Sequence, residues 1–280
     1  MYAFVHIDKT AGTTMTAILR RSFGTRHCDI RPPLNKRRDD GLDHRAIVEA
    51  TDLRRVQRIY RNLRGISGHN VKAYSDLHTA YPEIAFFTVL RDPAARFRSH
   101  FKNRADCHSL EGFHHWTEND LFHNWQTKMI AGEPSAQKAI DLLSTRFQFV
   151  AFTERFDEGL VLLGQWLREP EYRPEYLRVN QLSEKRRPRD IARGKCDLSY
   201  LDSDSVRSRI QEVNGEDQKV YDFVMANIYS QQLETFQGDL AAEVRELQRR
   251  NQALEAWKES ARSRMMRNYV YKPLLHCRAM

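Results

Sequence analysis

Apolar and polar positions fall in blocks along this chain. Short apolar runs predict strands over 3–7, 84–90 and 147–152, each ending in a polar turn that leads to a helix, over 13–23, 93–105 and 155–168. Apolar residues at helical spacing predict further helices over 46–63, 117–131 and 135–146, and Gly65-Ile66-Ser67-Gly68-His69 reads as a short strand or turn. Strand alternating with helix argues for an α/β fold: a parallel sheet with helices on both faces. Ligands of such sheets bind beyond the carboxyl ends of the strands, where the polar turns lie.

From Leu240 onward the pattern changes. Leu240, Val244, Leu247, Asn251, Leu254, Lys258, Ala261 and Met265 recur at spacings of four and three, a heptad seam that predicts a long C-terminal helix. The chain then divides into a domain over 1–232 and an amphipathic or coiled-coil helix with a basic tail over 233–280. Asn251 and Lys258 resemble the polar residues that set register in dimeric coiled coils, which makes a homodimer through this helix one reading. An amphipathic helix packed on its own domain is the other. The tail from Arg262 to Arg278, with Tyr269, Tyr271 and Leu274-Leu275, offers peripheral contact with a membrane surface or a partner, or a plain solvated terminus.

Two of the polar turns carry chemistry. In Phe4-Val5-His6-Ile7-Asp8-Lys9-Thr10-Ala11-Gly12-Thr13-Thr14-Met15 a strand runs into a lysine, a flexible turn and two hydroxyls that open a helix. That is a phosphate cradle: backbone N–H groups at the helix start face the anion, the helix dipole favours it, and Gly12 allows close approach. It makes the sheet P-loop-like without matching the nucleotide triphosphate loop, in which Lys directly precedes the hydroxyl residue; here Lys9 precedes Gly12. The segment from Phe86 through Arg91-Asp92-Pro93 to Arg96 and Ser99 repeats the strand, polar turn and helix design, with Pro93 where a first helical turn accepts it. Two anion sites on neighbouring strand ends suit a ligand with separated phosphates.

These two segments resemble those of the sulfotransferases that use 3′-phosphoadenosine-5′-phosphosulfate (PAPS), specifically the Golgi-type carbohydrate branch that includes heparan sulfate 2-O-sulfotransferase, and its bacterial relatives. The first is similar to that family's 5′-phosphosulfate loop, H-x-P-K-T-x-G-T-[ST], and the second to its 3′-phosphate motif, R-D-P-x-x-R-x-x-S. The resemblance continues through Asn124 to Gly132, Phe152 to Phe156 and Val179-Asn180, about the first 230 residues. Asp8 departs from the pattern, standing where the family usually carries Pro. A carboxylate beside an anion site is electrostatically awkward, so Asp8 is expected to turn away from the ligand or to pair with a cation.

The resemblance implies sulfuryl transfer from PAPS to a carbohydrate hydroxyl, leaving 3′-phosphoadenosine-5′-phosphate. By analogy with phosphoryl transfer, such a reaction needs an in-line nucleophile and stabilisation of charge on the leaving oxygen. Lys9 is the candidate to neutralise that charge. Thr10, Ala11, Gly12, Thr13 and Thr14 join Lys9 around the 5′-phosphate, and Arg91 and Ser99 hold the 3′-phosphate. The acceptor hydroxyl must lose a proton, and His69 is the first candidate base. Relatives place a catalytic His in that interval; a hydrogen-bonded structural histidine is the alternative. His6 reads as structure beneath the loop, and His100, His114, His115 and His123 are weaker candidates with no metal-ligand spacing among them. Gln126 and Lys128 are expected to position acceptor or cofactor, with one of the two facing the site. The basic run Arg186, Arg187 and Arg189 reads as a contact to nucleotide or acidic sugar, or as a solvated loop, and the basic loop from Ile30 to Asp40 as an acceptor contact.

Charge and cysteines narrow the choice further. The 280 residues carry 45 Lys and Arg against 37 Asp and Glu, a formal charge of +8 that favours an anionic partner. Nucleic acid is disfavoured, because acids interleave with the bases and no recognised binding motif occurs. Cys28, Cys107, Cys196 and Cys277 stand too far apart for a disulfide framework or a zinc site. No run of 18 apolar residues exists, which gives the expectation of a cytoplasmic, bacterial protein, or a luminal Golgi one if the chain is trimmed. A phosphate-binding scaffold with coiled-coil oligomerisation is the alternative from another class. A nucleotide kinase of related architecture is disfavoured by the placement of Lys9.

Overall fold

The structure, a computed structural model, describes residues 1–30, 46–104, 108–177, 197–254 and 260–276. Five strands, β1 (Tyr2–Val5), β2 (His27–Asp29), β3 (Gly65–Gly68), β4 (Ala85–Leu90) and β5 (Phe147–Phe152), form one parallel sheet in the order β2-β3-β1-β4-β5. The α/β fold with a parallel sheet is therefore as the alternation predicts. Strands of such a sheet are covered on both faces and so are apolar at consecutive positions. Tyr2, Ala3, Phe4 and Val5 are all buried, as are Phe86 to Leu90.

The helices that matter for the site are α1 (Gly12–Phe23), α2 (Ala50–Ile59), α3 (Leu77–Ala80), α4 (Pro93–Arg104), α5 (Leu110–Glu118), α6 (Trp125–Ala131), α7 (Ala136–Thr145), α8 (Phe156–Leu167), α9 (Asp204–Val213), α10 (Gly215–Phe223) and α11 (Leu240–Gln252). The chain leaves β1 for β2 and β3 on one side, then crosses to β4 and β5 on the other. The strand order thus reverses at β1, and the loops after β3, β1 and β4 lie side by side at one edge. A second apolar cluster of Phe97, Phe101, Phe113, Trp116, Leu201, Val206, Ile210 and Val213 anchors α4 through α5 and α9.

Three elements differ from their predicted extent. The helix expected over 46–63 is only α2, because Glu49 and Asp52 form a capping box at its start and Tyr60 leaves helical geometry at its end. The helix expected over 117–131 is two, α5 and α6. Asn119 accepts from the Leu121 N–H at 3.0 Å and Asn124 is left-handed at φ 45°, so the helix cannot run through.

The long C-terminal helix is likewise replaced by α11 and a separate helical stretch over 261–276. Leu247 is wholly buried where α11 packs on α8, and Asn251 accepts from the Tyr176 N–H at 2.9 Å. Those two seam positions serve the chain's own fold; Lys258 lies outside the described residues. In the tail, Tyr271 packs its ring 4.5 Å from that of Tyr60, and Leu275 is buried, while Tyr269 is exposed. Among the described residues no helix is long and apolar enough to cross a membrane.

Candidate active site

β1 delivers His6 to Ala11 to the sheet edge, and this loop is wound unusually tightly. Thr10 donates its hydroxyl to the Ile7 carbonyl at 3.0 Å, while Lys9 and Ala11 are both left-handed, at φ 69° and 60°. That conformation costs about 1–2 kcal/mol for a residue with a Cβ, a cost characteristic of functional loops. It brings the chain into α1 with no capping side chain on its N-terminus and no acidic residue in its first turn. The first N–H groups and the positive end of the helix dipole are thereby left for an anion. Gly12 is required for a further reason. A Cβ there would sit 1.9 Å from Cδ2 of His6, whose ring fills that space. Thr13 is exposed beside this helix start and Thr14 is buried.

β4 delivers Arg91 next to that loop. Gln126, buried on α6, accepts from the Arg91 N–H at 2.9 Å and donates to the Arg91 carbonyl at 2.8 Å, gripping both backbone groups. The Arg91 side chain donates from Nη1 to the Lys9 carbonyl at 3.1 Å, so the two turns are joined directly. Burial lowers the Arg91 pKa, opposed by the Glu154 and Asp92 carboxylates. The start of α4, unlike that of α1, is already capped, since Asp92 accepts from the Ala95 N–H at 2.7 Å. An anion at this second turn would therefore be met by side chains, Arg91 and the half-buried Ser99 on α4. Glu154 braces the turn from β5 by accepting from the Asp92 N–H at 3.0 Å.

Gln126 departs from its expected role. It faces the site, but both ends of its amide are engaged with the Arg91 backbone, so it holds Arg91 in place. Its own helix is held by the buried Asp217, which accepts from the N–H groups of Gln126 and Thr127 at 3.1 and 2.7 Å. Burial raises the Asp217 pKa, outweighing the opposing pull of Arg96 and these bonds. Lys128 turns instead to the carbonyl of Asp120, outside this group. Arg96 is wholly buried, with Nη1 3.2 Å from His100 Nδ1, and burial pushes its pKa down to about 10.

β3 adds the third component. The His69 Nδ1 lies 2.8 Å from the His6 carbonyl and 3.5 Å from Oδ2 of Asp8, and the two histidine rings pack 4.0 Å apart. Asp8 is buried and faces cations, as its departure from the pattern led one to expect. Besides His69, the charges of Lys72 and Arg96 act on it. Lys72, 1% exposed with Nζ 2.8 Å from the Met129 sulfur, is pushed down to about 7 by burial, Asp8 opposing.

Sequence reasoning missed Lys72 and the bracing role of Glu154. The only signal for Lys72 was its place between Val71 and Ala73, both buried. Among the described residues no group of His, Cys, Asp and Glu could hold a metal ion. His100 is buried beside Arg96, and His115 is exposed on α5. Arg186, Arg187 and Arg189 lie outside the described residues, as does the loop after Ile30.

Comparison with curated proteins gives no match. The family model described as "Sulfotransferase family" matches residues 2–224, which takes in all five strands and each of the three loops above.

Proposed function

This chain belongs to the sulfotransferase family, and from that premise we propose that it moves a sulfuryl group from PAPS to a hydroxyl of a carbohydrate by in-line transfer. The observation that carries the reading is the bond from Arg91 to the Lys9 carbonyl. It ties an open helix start and a half-buried guanidinium into one continuous anion-binding edge, with a histidine on the adjoining strand. The residues fit a donor that is anionic at two separated points. The uncapped α1 and its Gly12 approach suit the 5′ end, and Arg91 with Ser99 suits the 3′-phosphate.

When bound, the donor supplies the activated sulfuryl group. Ala11, Gly12, Thr13 and Thr14 offer N–H and hydroxyl donors to the 5′-phosphate. Thr10 offers its N–H alone, its hydroxyl being engaged by Ile7. Lys9 neutralises negative charge on the departing oxygen, a preorganised electrostatic term of the kind worth about 10²–10³ in rate. His69 accepts the proton of the acceptor hydroxyl as it attacks. Its Nδ1 faces a carbonyl, which can only accept, so Nδ1 carries the hydrogen and Nε2 the lone pair. The +8 charge suits an acidic polysaccharide as acceptor.

The test is titration of the protein with 3′-phosphoadenosine-5′-phosphate by calorimetry, followed by transfer of labelled sulfate from PAPS to polysaccharide fractions. Binding of the bisphosphate and label on a sugar hydroxyl are expected. A protein that ignores the bisphosphate defeats the reading.

A further inference from the structure

Asp8 sits where a carboxylate has no evident reason to be, one residue before the lysine of an anion-binding loop. It would repel the very ligand that the loop is built to hold. The geometry gives it a different partner. Its Oδ2 lies 3.5 Å from His69 Nδ1, on the same ring nitrogen that meets the His6 carbonyl at 2.8 Å. The carbonyl takes the hydrogen bond, and the carboxylate stands at ion-pair distance from the same nitrogen. The ring is also backed by the tilted ring of His6 at 4.0 Å, and His6 is itself locked against Gly12, so the imidazole is held by a packed ring and a carbonyl with a carboxylate beside it.

We propose that Asp8 is the positioning residue of a carboxylate–histidine pair. It orients His69 with Nε2 toward the acceptor hydroxyl, and it stabilises the imidazolium that forms when His69 takes the acceptor proton. The proton passes from the acceptor oxygen to Nε2 as that oxygen bonds to sulfur and the bond from sulfur to the donor's 5′-phosphate oxygen breaks, its electron pair leaving with the bisphosphate; Asp8 remains a carboxylate throughout. This rests on the reading of His69 as the base.

The charge balance supports the pair. Asp8 is 8% exposed, so its attraction for an imidazolium is poorly screened by solvent. His69 and Lys72 after β3, and Arg96 on α4, face it from the packed elements. His69 in turn meets Asp8 and His6 on the first loop. The buried cations Lys72 and Arg96 favour the ionised form of Asp8, which the pair requires. As pH rises through about 7, Lys72 sheds its proton and leaves the carboxylate more fully to His69.

Three measurements decide the matter. In the wild-type protein, ¹⁵N NMR of the His69 imidazole should give the Nδ1–H tautomer; the Nε2–H tautomer overturns the proposal without any variant. D8N, which keeps the shape and removes the charge, should lower kcat about 10–100-fold at neutral pH with the KM for PAPS changed less than about threefold. Its His69 titration, and the acidic limb of its kcat profile, should move about 1 pH unit to lower pH, because the carboxylate that favoured imidazolium is gone. An unmoved limb, or a loss lying wholly in donor binding, overturns it. H69A separates this from the underlying reading. Full turnover in H69A removes the base itself, whereas a dead H69A beside a fully active D8N removes Asp8 alone. In the double variant D8N/H69A the loss should equal that of H69A.

Discussion

Arg91 donates from Nη1 to the backbone carbonyl of Lys9 at 3.1 Å, a bond between residues 82 positions apart that closes the edge between β1 and β4. It gives Arg91 two duties, shaping the first loop and presenting charge to the second phosphate. Arg91→Ala should therefore weaken both nucleotides, 3′-phosphoadenosine-5′-phosphate by about 1.5–3 kcal/mol, the range for a charge-assisted hydrogen bond, and adenosine 5′-monophosphate less, since it loses only the support of the first loop. Calorimetry with both nucleotides checks this. Equal losses would move Arg91 off the 3′-phosphate.

Lys9 and Ala11 share the left-handed conformation, and replacing Lys9 by Ala leaves a Cβ in the same strained backbone. The substitution should therefore remove the charge without relieving or adding backbone strain. We expect Lys9→Ala to lose about 10²-fold or more in kcat with the fold intact. A labelled-donor assay that finds full turnover would strip Lys9 of its role on the leaving oxygen.

Much of this site could be read from the chain because it is built from local patterns. A strand that turns at Lys9-Thr10-Ala11-Gly12, and another that turns at Arg91-Asp92-Pro93, state their chemistry within a dozen residues. The same holds for β1, β4 and β5, which write themselves as apolar runs, whereas β2, made of His27, Cys28 and Asp29, carries no such run and is not predicted. What could not be read depends on distant pairs. Gln126 looked like a ligand contact until its amide was found around the Arg91 backbone, 35 residues away. Asp8 looked merely awkward until His69 and Lys72 were seen around it. The heptad from Leu240 was a true apolar stripe, but periodicity says that a face is covered and not by what; here Leu247 is covered by the chain's own core.

Gln126 offers a direct test of such a distant pair. Gln126→Ala would remove a buried amide and strip partners from the part-buried N–H and carbonyl of Arg91. Each orphaned group costs about 1–3 kcal/mol, so a loss of at least 2 kcal/mol in urea unfolding is expected, with weaker bisphosphate binding alongside. Full stability with affinity lost on its own would return Gln126 to the role of ligand contact.

Gly12 and His6 form a packed pair in which one residue's missing side chain is filled by the other's ring. Gly12→Ala would place a methyl 1.9 Å from His6 Cδ2, and the displaced ring would carry away the stack that supports His69. A destabilisation of about 1–3 kcal/mol from overpacking is expected, together with reduced kcat. His6→Ala in the same chain should recover part of the stability, since it vacates the space, but not the turnover. A thermal melt series over the wild type, both single variants and the double variant checks the coupling.

Lys72 makes stability fall with falling pH, the same sign as ordinary acid unfolding, but in a window set by a lysine rather than by carboxylates. Its pKa is about 7 folded, against about 10.4 for an unfolded lysine, so the folded chain binds fewer protons than the unfolded one between those values. Below pH 7 both forms are charged and the full cost of burying the ammonium opposes folding, on the order of 4 kcal/mol. As pH rises from 7 toward 10 that cost disappears, by about 1.4 kcal/mol per pH unit. Lys72→Met keeps a linear side chain against Met129 and has no proton to lose. It should therefore be more stable than the wild type at pH 6, with the gap narrowing by about 2–3 kcal/mol between pH 7 and pH 9. Urea unfolding of both proteins at pH 6, 7, 8 and 9 measures the gap. A constant difference across that range would mean that Lys72 keeps an ordinary lysine pKa, and that the carboxylate of Asp8 fully compensates its burial.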